Sequence, residues 1–119
     1  ILQKVRPPFD NSILAQEAAI AALNDEEFLK KTLENNQKVK LKLHSAFQRL
    51  GFNPIKSHAN FILVDLQQNA DRITEKLLKQ GIIVRKPKHS RLSTYIRVSL
   101  GKESEIERFI NTIEEIIGK

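Results

Sequence analysis

The 119-residue sequence has no cysteine, which excludes disulfides, a thiolate nucleophile and every cysteine-ligated zinc or iron–sulfur site. Glycine is scarce: the four residues, at 51, 81, 101 and 118, stand singly at the ends of expected elements, so no glycine-rich loop can wrap a phosphate. Aromatic residues make up 6%, a thin supply for stacking on nucleic-acid bases. Apolar runs stop at four to six residues, far short of a bilayer span, so a cytoplasmic chain without a membrane partner is expected. The three histidines, at 44, 58 and 89, are too scattered for a metal cluster, and no metal site is expected. Methionine is absent and the sequence opens on Ile1, from which we expect a piece of a longer protein.

What is present suits one soluble domain with a modest core: 40% hydrophobic and 29% charged residues. Twenty Lys and Arg against 14 Asp and Glu leave a net charge of +6. Pro7 and Pro8 predict an extended start over 1–11, with Asn11 or Ser12 capping a helix over 13–23 that is rich in alanine. Asn24 and Glu27 have capping-box spacing, predicting a second helix to about Leu50. Its apolar stripe is Leu29, Leu33, Val39, Leu43, Phe47 and Leu50, and its lysines (30, 31, 38, 40 and 42) read as a solvated face. Beyond Gly51 the period changes. Strands are predicted over 61–66, over 82–85 (stopped by Pro87) and over 94–100, the last alternating with Ile96 and Val98 on one side and Tyr95, Arg97 and Ser99 on the other. Asn69 caps a helix over 70–80 with Ile73 and Leu77 inward, residues 86–93 form a basic loop, and a final helix spans 103–117. The expected fold is α+β: a small, mainly antiparallel sheet with helices packed on one face. Residues 1–24 are expected to be an interdomain segment and linker helix, and 25–119 the domain proper.

Few residues carry candidate chemistry. His44 and His89 read as solvated side chains, and His58, just before a strand, as a surface residue. Arg97 sits mid-strand between Ile96 and Val98, where its five donors need solvent or an anion. Arg85 ends a neighbouring predicted strand, and two arginines at one sheet edge would form a fork for a carboxylate or phosphate. An exposed face with salt-bridged arginines satisfies the same spacing. The basic balance also admits a nucleic-acid-binding module, which would have to stack bases on Phe61 and Tyr95.

Four motifs meet a family in order and at suitable spacing. They are Lys4-Val5-Arg6-Pro7-Pro8-Phe9 followed by Ser12 to Ala19, Ala59-Asn60-Phe61-Ile62-Leu63-Val64, Gly81-Ile82-Ile83-Val84-Arg85, and Tyr95-Ile96-Arg97-Val98-Ser99-Leu100-Gly101. Over residues 4–117 the sequence resembles the C-terminal small domain of histidinol-phosphate aminotransferases, fold-type I enzymes dependent on pyridoxal 5'-phosphate. Other class I/II aminotransferases and threonine-phosphate decarboxylases share the landmarks.

The resemblance implies that the aldimine lysine and the cofactor-holding residues belong to a missing large domain. No catalytic residue and no bound cofactor are therefore expected in this chain. It implies that Arg97 grips an anionic substrate group, that Arg85 helps to hold the phosphate, and that Asn60 lies near the site. The parent reaction would be amino transfer between histidinol phosphate and 2-oxoglutarate in histidine biosynthesis, yielding imidazole-acetol phosphate and glutamate, by a homodimer. Two departures stand out. Lys86, Lys88 and Arg91 fill a loop where the family commonly has a Gly-containing stretch. Lys102 stands where a Thr often caps the last helix, and its ammonium cannot accept the N–H bonds a hydroxyl would.

Overall fold

The computed structural model describes residues 11–118, so the extended start expected around Pro7 and Pro8 lies almost wholly outside the described residues. Ser12 Oγ accepts from the Ala15 N–H (3.2 Å) and starts α1, Ile13–Leu23. None of its residues is buried. The second helix, α2, Glu26–Arg49, begins one residue later than a cap at Asn24 would have it. Asn24 instead closes α1, and Asp25 Oδ1 accepts from the Phe28 N–H (2.9 Å). Backbone contacts divide the chain into two units, Ile1–Thr32 and Leu33–Lys119.

In the second unit, Gly51 takes a φ of 84° after α2, and β1, Phe61–Asp65, follows. Helix α3, Ala70–Lys79, is capped as expected by Asn69, whose Oδ1 accepts from the Asp71 N–H (2.8 Å). Strand β2, Tyr95–Ser99, pairs antiparallel with β1 in the register Phe61 to Ser99, Leu63 to Arg97 and Asp65 to Tyr95. Helix α4, Glu103–Ile117, completes an α+β fold. One face of the sheet carries Ile62, Val64, Ile96 and Val98 into a core shared with Val39, Leu43 and Phe47 of α2, Ile73 and Leu77 of α3, and Ile106, Phe109 and Ile113 of α4. Period-two burial of the strands against helical stripes is what aligns these residues. Phe47 and Phe109 meet at 6.1 Å with their planes tilted by 53°.

Three expectations need correction. The apolar stripe of α2 is buried only in its second half; Leu29 and Leu33 remain 57% and 60% exposed. The predicted strand over 82–85 is reduced to one bridge, Arg85 to Arg97. In an antiparallel ladder the hydrogen-bonded pairs flanking that bridge would be residue 87 with Tyr95 and Ile83 with Ser99; residue 87 is a proline without an N–H, and among the described residues no backbone bond joins Ile83 to Ser99. Finally, the lysines of α2 are not simply solvated. Lys38 pairs with Glu103 (2.6 Å), Lys42 with Glu103 and with Glu107 (2.7 Å), and Lys31 with Glu27 (2.6 Å), while Lys40 Nζ donates to Ser57 O (3.0 Å).

Candidate functional site

The face of the sheet turned from the core is built by residue pairing. Ile55 bridges to Leu63, Leu63 pairs with Arg97, and Arg97 bridges to Arg85, so four side chains stand in a row across four segments. Arg85 and Arg97 exchange both backbone bonds: the Arg85 N–H donates to Arg97 O (3.1 Å) and the Arg97 N–H to Arg85 O (2.7 Å). Directly opposed residues project to the same side of a sheet, so the two guanidiniums share one face. An open cleft of about 460 Å³ lies over them, lined by Ile83, Val84, Arg85, Arg97 and Ser99.

Two like charges opposed across a ladder repel, and a structural pair would be expected to recruit an acid. Among the described residues no carboxylate forms an ion pair with either arginine. Asp65 shares this face but is engaged elsewhere. The Thr94 hydroxyl, then the Gln67 N–H (2.9 Å to Oδ1), hold its carboxyl below the usual range, and its charge pushes the Tyr95 phenol up. Gln67 takes a φ of 54° to close this turn. Half-buried Arg97 places its guanidinium carbon 5.2 Å from the centre of the Phe61 ring, and its Nε is buried without an acceptor. The cleft is therefore cationic, uncompensated and able to take an anion through bidentate donors.

Asn60 is placed apart from the arginine cleft, in a different hollow lined by Asn36, Lys40, His58 and neighbouring residues. Its backbone carbonyl accepts from the Leu100 N–H (2.8 Å) at the end of the β1–β2 ladder. His58 is exposed in that hollow. His89 is exposed too, but its ring supports the backbone, since Nδ1 accepts from the Arg91 N–H (3.2 Å) and starts the short turn Ser90–Leu92 within the basic loop. Lys86 of that loop is tied to Asp71. Phe61, considered in the sequence only as a stacking surface for bases, is instead covered by Arg97. Its membership of this site was visible only through the register that sets it diagonally from Arg97.

Comparison with known proteins places this geometry in a family. The model for aminotransferase class I and II matches residues 1–113. The chain belongs to the aminotransferase class I and II family. Within this family it is 40% identical over 117 residues to histidinol-phosphate aminotransferase 1 of Nitrosococcus oceani, covering 98% of this chain and 32% of that protein. It is 41% identical over 116 residues to the histidinol-phosphate aminotransferase of Caldicellulosiruptor saccharolyticus, with the same coverage. The fold superimposes on the histidinol-phosphate aminotransferase of Sinorhizobium meliloti, solved in complex with pyridoxal-5'-phosphate, with a TM-score of 0.86 at 28% identity, over 98% of this chain and 33% of that one. The chain thus spans about a third of the length of the curated relatives it matches.

Pyridoxal phosphate requires an amine to capture its aldehyde. The arginine cleft offers none among Ile83, Val84, Arg85, Arg97 and Ser99. These residues suit an anion and do not fit the cofactor's reactive end, so no chemical step is assigned to them. Among the described residues no group of three or more His, Asp or Glu side chains gathers to hold a metal, and no helix is long and apolar enough to cross a membrane.

Proposed function

We propose that this chain is the C-terminal substrate-recognition domain of a histidinol-phosphate aminotransferase, catalytically silent by itself and completed by a large domain that holds pyridoxal phosphate and its lysine. In the whole enzyme, a cytoplasmic homodimer on this reading, amino transfer would run from histidinol phosphate to 2-oxoglutarate. Arg97 would grip the phosphate of one substrate and a carboxylate of the other. Arg85 would add a second fork where the phosphate needs it, and Asn60 would border the site from the adjoining hollow. The observation that carries this reading is the backbone exchange between Arg85 and Arg97, which sets two unneutralised guanidiniums on one face over an open cleft. A clamp that accepts both a carboxylate and a phosphate monoester needs planar, paired donors of this kind.

Steady-state kinetics of the full-length enzyme test it. Arg97→Ala should cost about 2–5 kcal/mol in kcat/KM for both anionic substrates, the scale for truncating one side of a desolvated charge pair. Arg85→Ala should penalise histidinol phosphate more than 2-oxoglutarate. Wild-type kinetics in the Arg97 variant would remove that residue from the site. A preference for threonine phosphate or aromatic amino acids as substrates would move the chain to a sister activity.

A further inference from the structure

We propose that Phe61 is a positioning residue for Arg97, holding its guanidinium in the plane from which it meets the anion. The inference rests on the anion-clamp reading above and adds to it a residue that touches no substrate.

Among the described residues the head group of Arg97 has no polar anchor. Its buried Nε–H lacks an acceptor, and no carboxylate pairs with it among the described residues. What faces it is the Phe61 ring, 5.2 Å from the guanidinium carbon. A ring attracts a cation through its quadrupole without consuming an N–H or cancelling the charge. A carboxylate in that place would occupy two of the five donors and compete with the incoming anion. An arginine free to sample its rotamers loses that freedom when it binds, whereas one already held against a ring loses less.

The ring itself stands on a fixed base. Phe61 opens β1, and its carbonyl accepts from Ser57 Oγ (2.6 Å), which in turn accepts from the Ala59 N–H (3.1 Å). Immediately before it, Asn60 O receives the Leu100 N–H (2.8 Å). Pairing of Phe61 with Ser99 then sets the ring one diagonal step from Arg97 on the same face, within reach of a long side chain.

The test is a double-mutant cycle in the full-length aminotransferase, with folding of each variant checked by thermal denaturation. Phe61→Leu keeps an apolar side chain without the ring, and should raise KM for histidinol phosphate and 2-oxoglutarate roughly 5- to 30-fold, with kcat nearly unchanged, the range for a partly desolvated cation–ring contact. Phe61→Tyr, which keeps the ring, should restore near-wild-type KM. In an Arg97→Ala background, Phe61→Leu should have no further effect on KM. Unchanged KM in Phe61→Leu, or a loss that persists undiminished without Arg97, overturns the positioning role while leaving the clamp standing. Wild-type kinetics in Arg97→Ala alone overturns the clamp and this role together.

Discussion

The Lys102 ammonium cannot accept a hydrogen bond, yet the start of α4 is not left bare. Glu105 reaches back and its Oε2 accepts the Lys102 N–H (2.8 Å), the half of a capping box that a lysine permits. Gly101 makes room for it: a Cβ there would lie 2.6 Å from the Glu105 carboxylate oxygen. Glu105→Ala should therefore lower stability by about 1 kcal/mol in urea denaturation, the scale of a lost cap. Gly101→Ala should displace the same carboxylate, so the two substitutions combined should cost less than their sum. Additive costs would mean that Gly101 and Glu105 act separately. The missing cap at 102 was legible in the sequence; the acceptor that replaces it required the helix to be wound, because only then does residue 105 lie over residue 102.

At the scale of elements, α2 and α4 are joined by polar pairs around their apolar contact. Glu103 is shared by Lys38 and Lys42, and Arg49 meets Glu114 (2.6 Å). Hydrogen bonds from Lys38, then Lys42, hold the Glu103 carboxyl below its ordinary value, while Glu103 and Glu107 raise the ammonium of Lys42. A lowered carboxyl stabilises the fold in its charged form. Its contribution is complete above the unfolded value and disappears as pH falls through the folded one. Asp65, also lowered, acts in the same window. The urea midpoint should accordingly fall as pH drops below about 4.5, and Glu103→Gln should flatten that limb while lowering the midpoint at neutral pH. An acid limb identical in the variant would show that the Lys38–Glu103–Lys42 group contributes nothing to it. Helix ends were legible at this scale because capping residues and glycines mark them locally, as at Asn69. The segment over 82–85 was not. Its β-propensity is genuine, but the ladder it would join meets a proline at 87 on one side, and on the other no backbone bond joins Ile83 to Ser99 among the described residues.

Across the whole molecule, the apolar side chains sort into two populations. Most of those in the second unit converge on one core, although Leu41 and Ile83 stay 64% and 85% exposed, whereas α1 buries none and leaves Ile13, Leu14 and Leu23 at 76%, 82% and 83% exposure. A strong intrinsic preference for helix explains why α1 forms without burying a residue, and the large exposed side chains favour association. The isolated chain is predicted to self-associate with rising concentration in sedimentation velocity, and Leu14→Lys should shift it toward monomer. A strict monomer at high concentration would count against this. The positive balance of the chain looks different once the pairs are drawn. Lys31, Lys38, Lys42, Arg49 and Lys86 are each matched by an acid, which weakens the case for a nucleic-acid surface.

The amino-acid order by itself determined the helices, the two true strands, the inward faces of those strands, of α3 and of α4, and the absence of thiol or phosphate-loop chemistry. These depend on period, propensity and caps, which act within a few residues. Only the tertiary structure decided that Arg85 and Arg97 share a face, that Asn60 opens onto another hollow, and that the Phe61 ring lies against the Arg97 guanidinium. Each of these depends on register between segments distant in sequence. A shift of one residue would turn every side chain to the other side of the sheet.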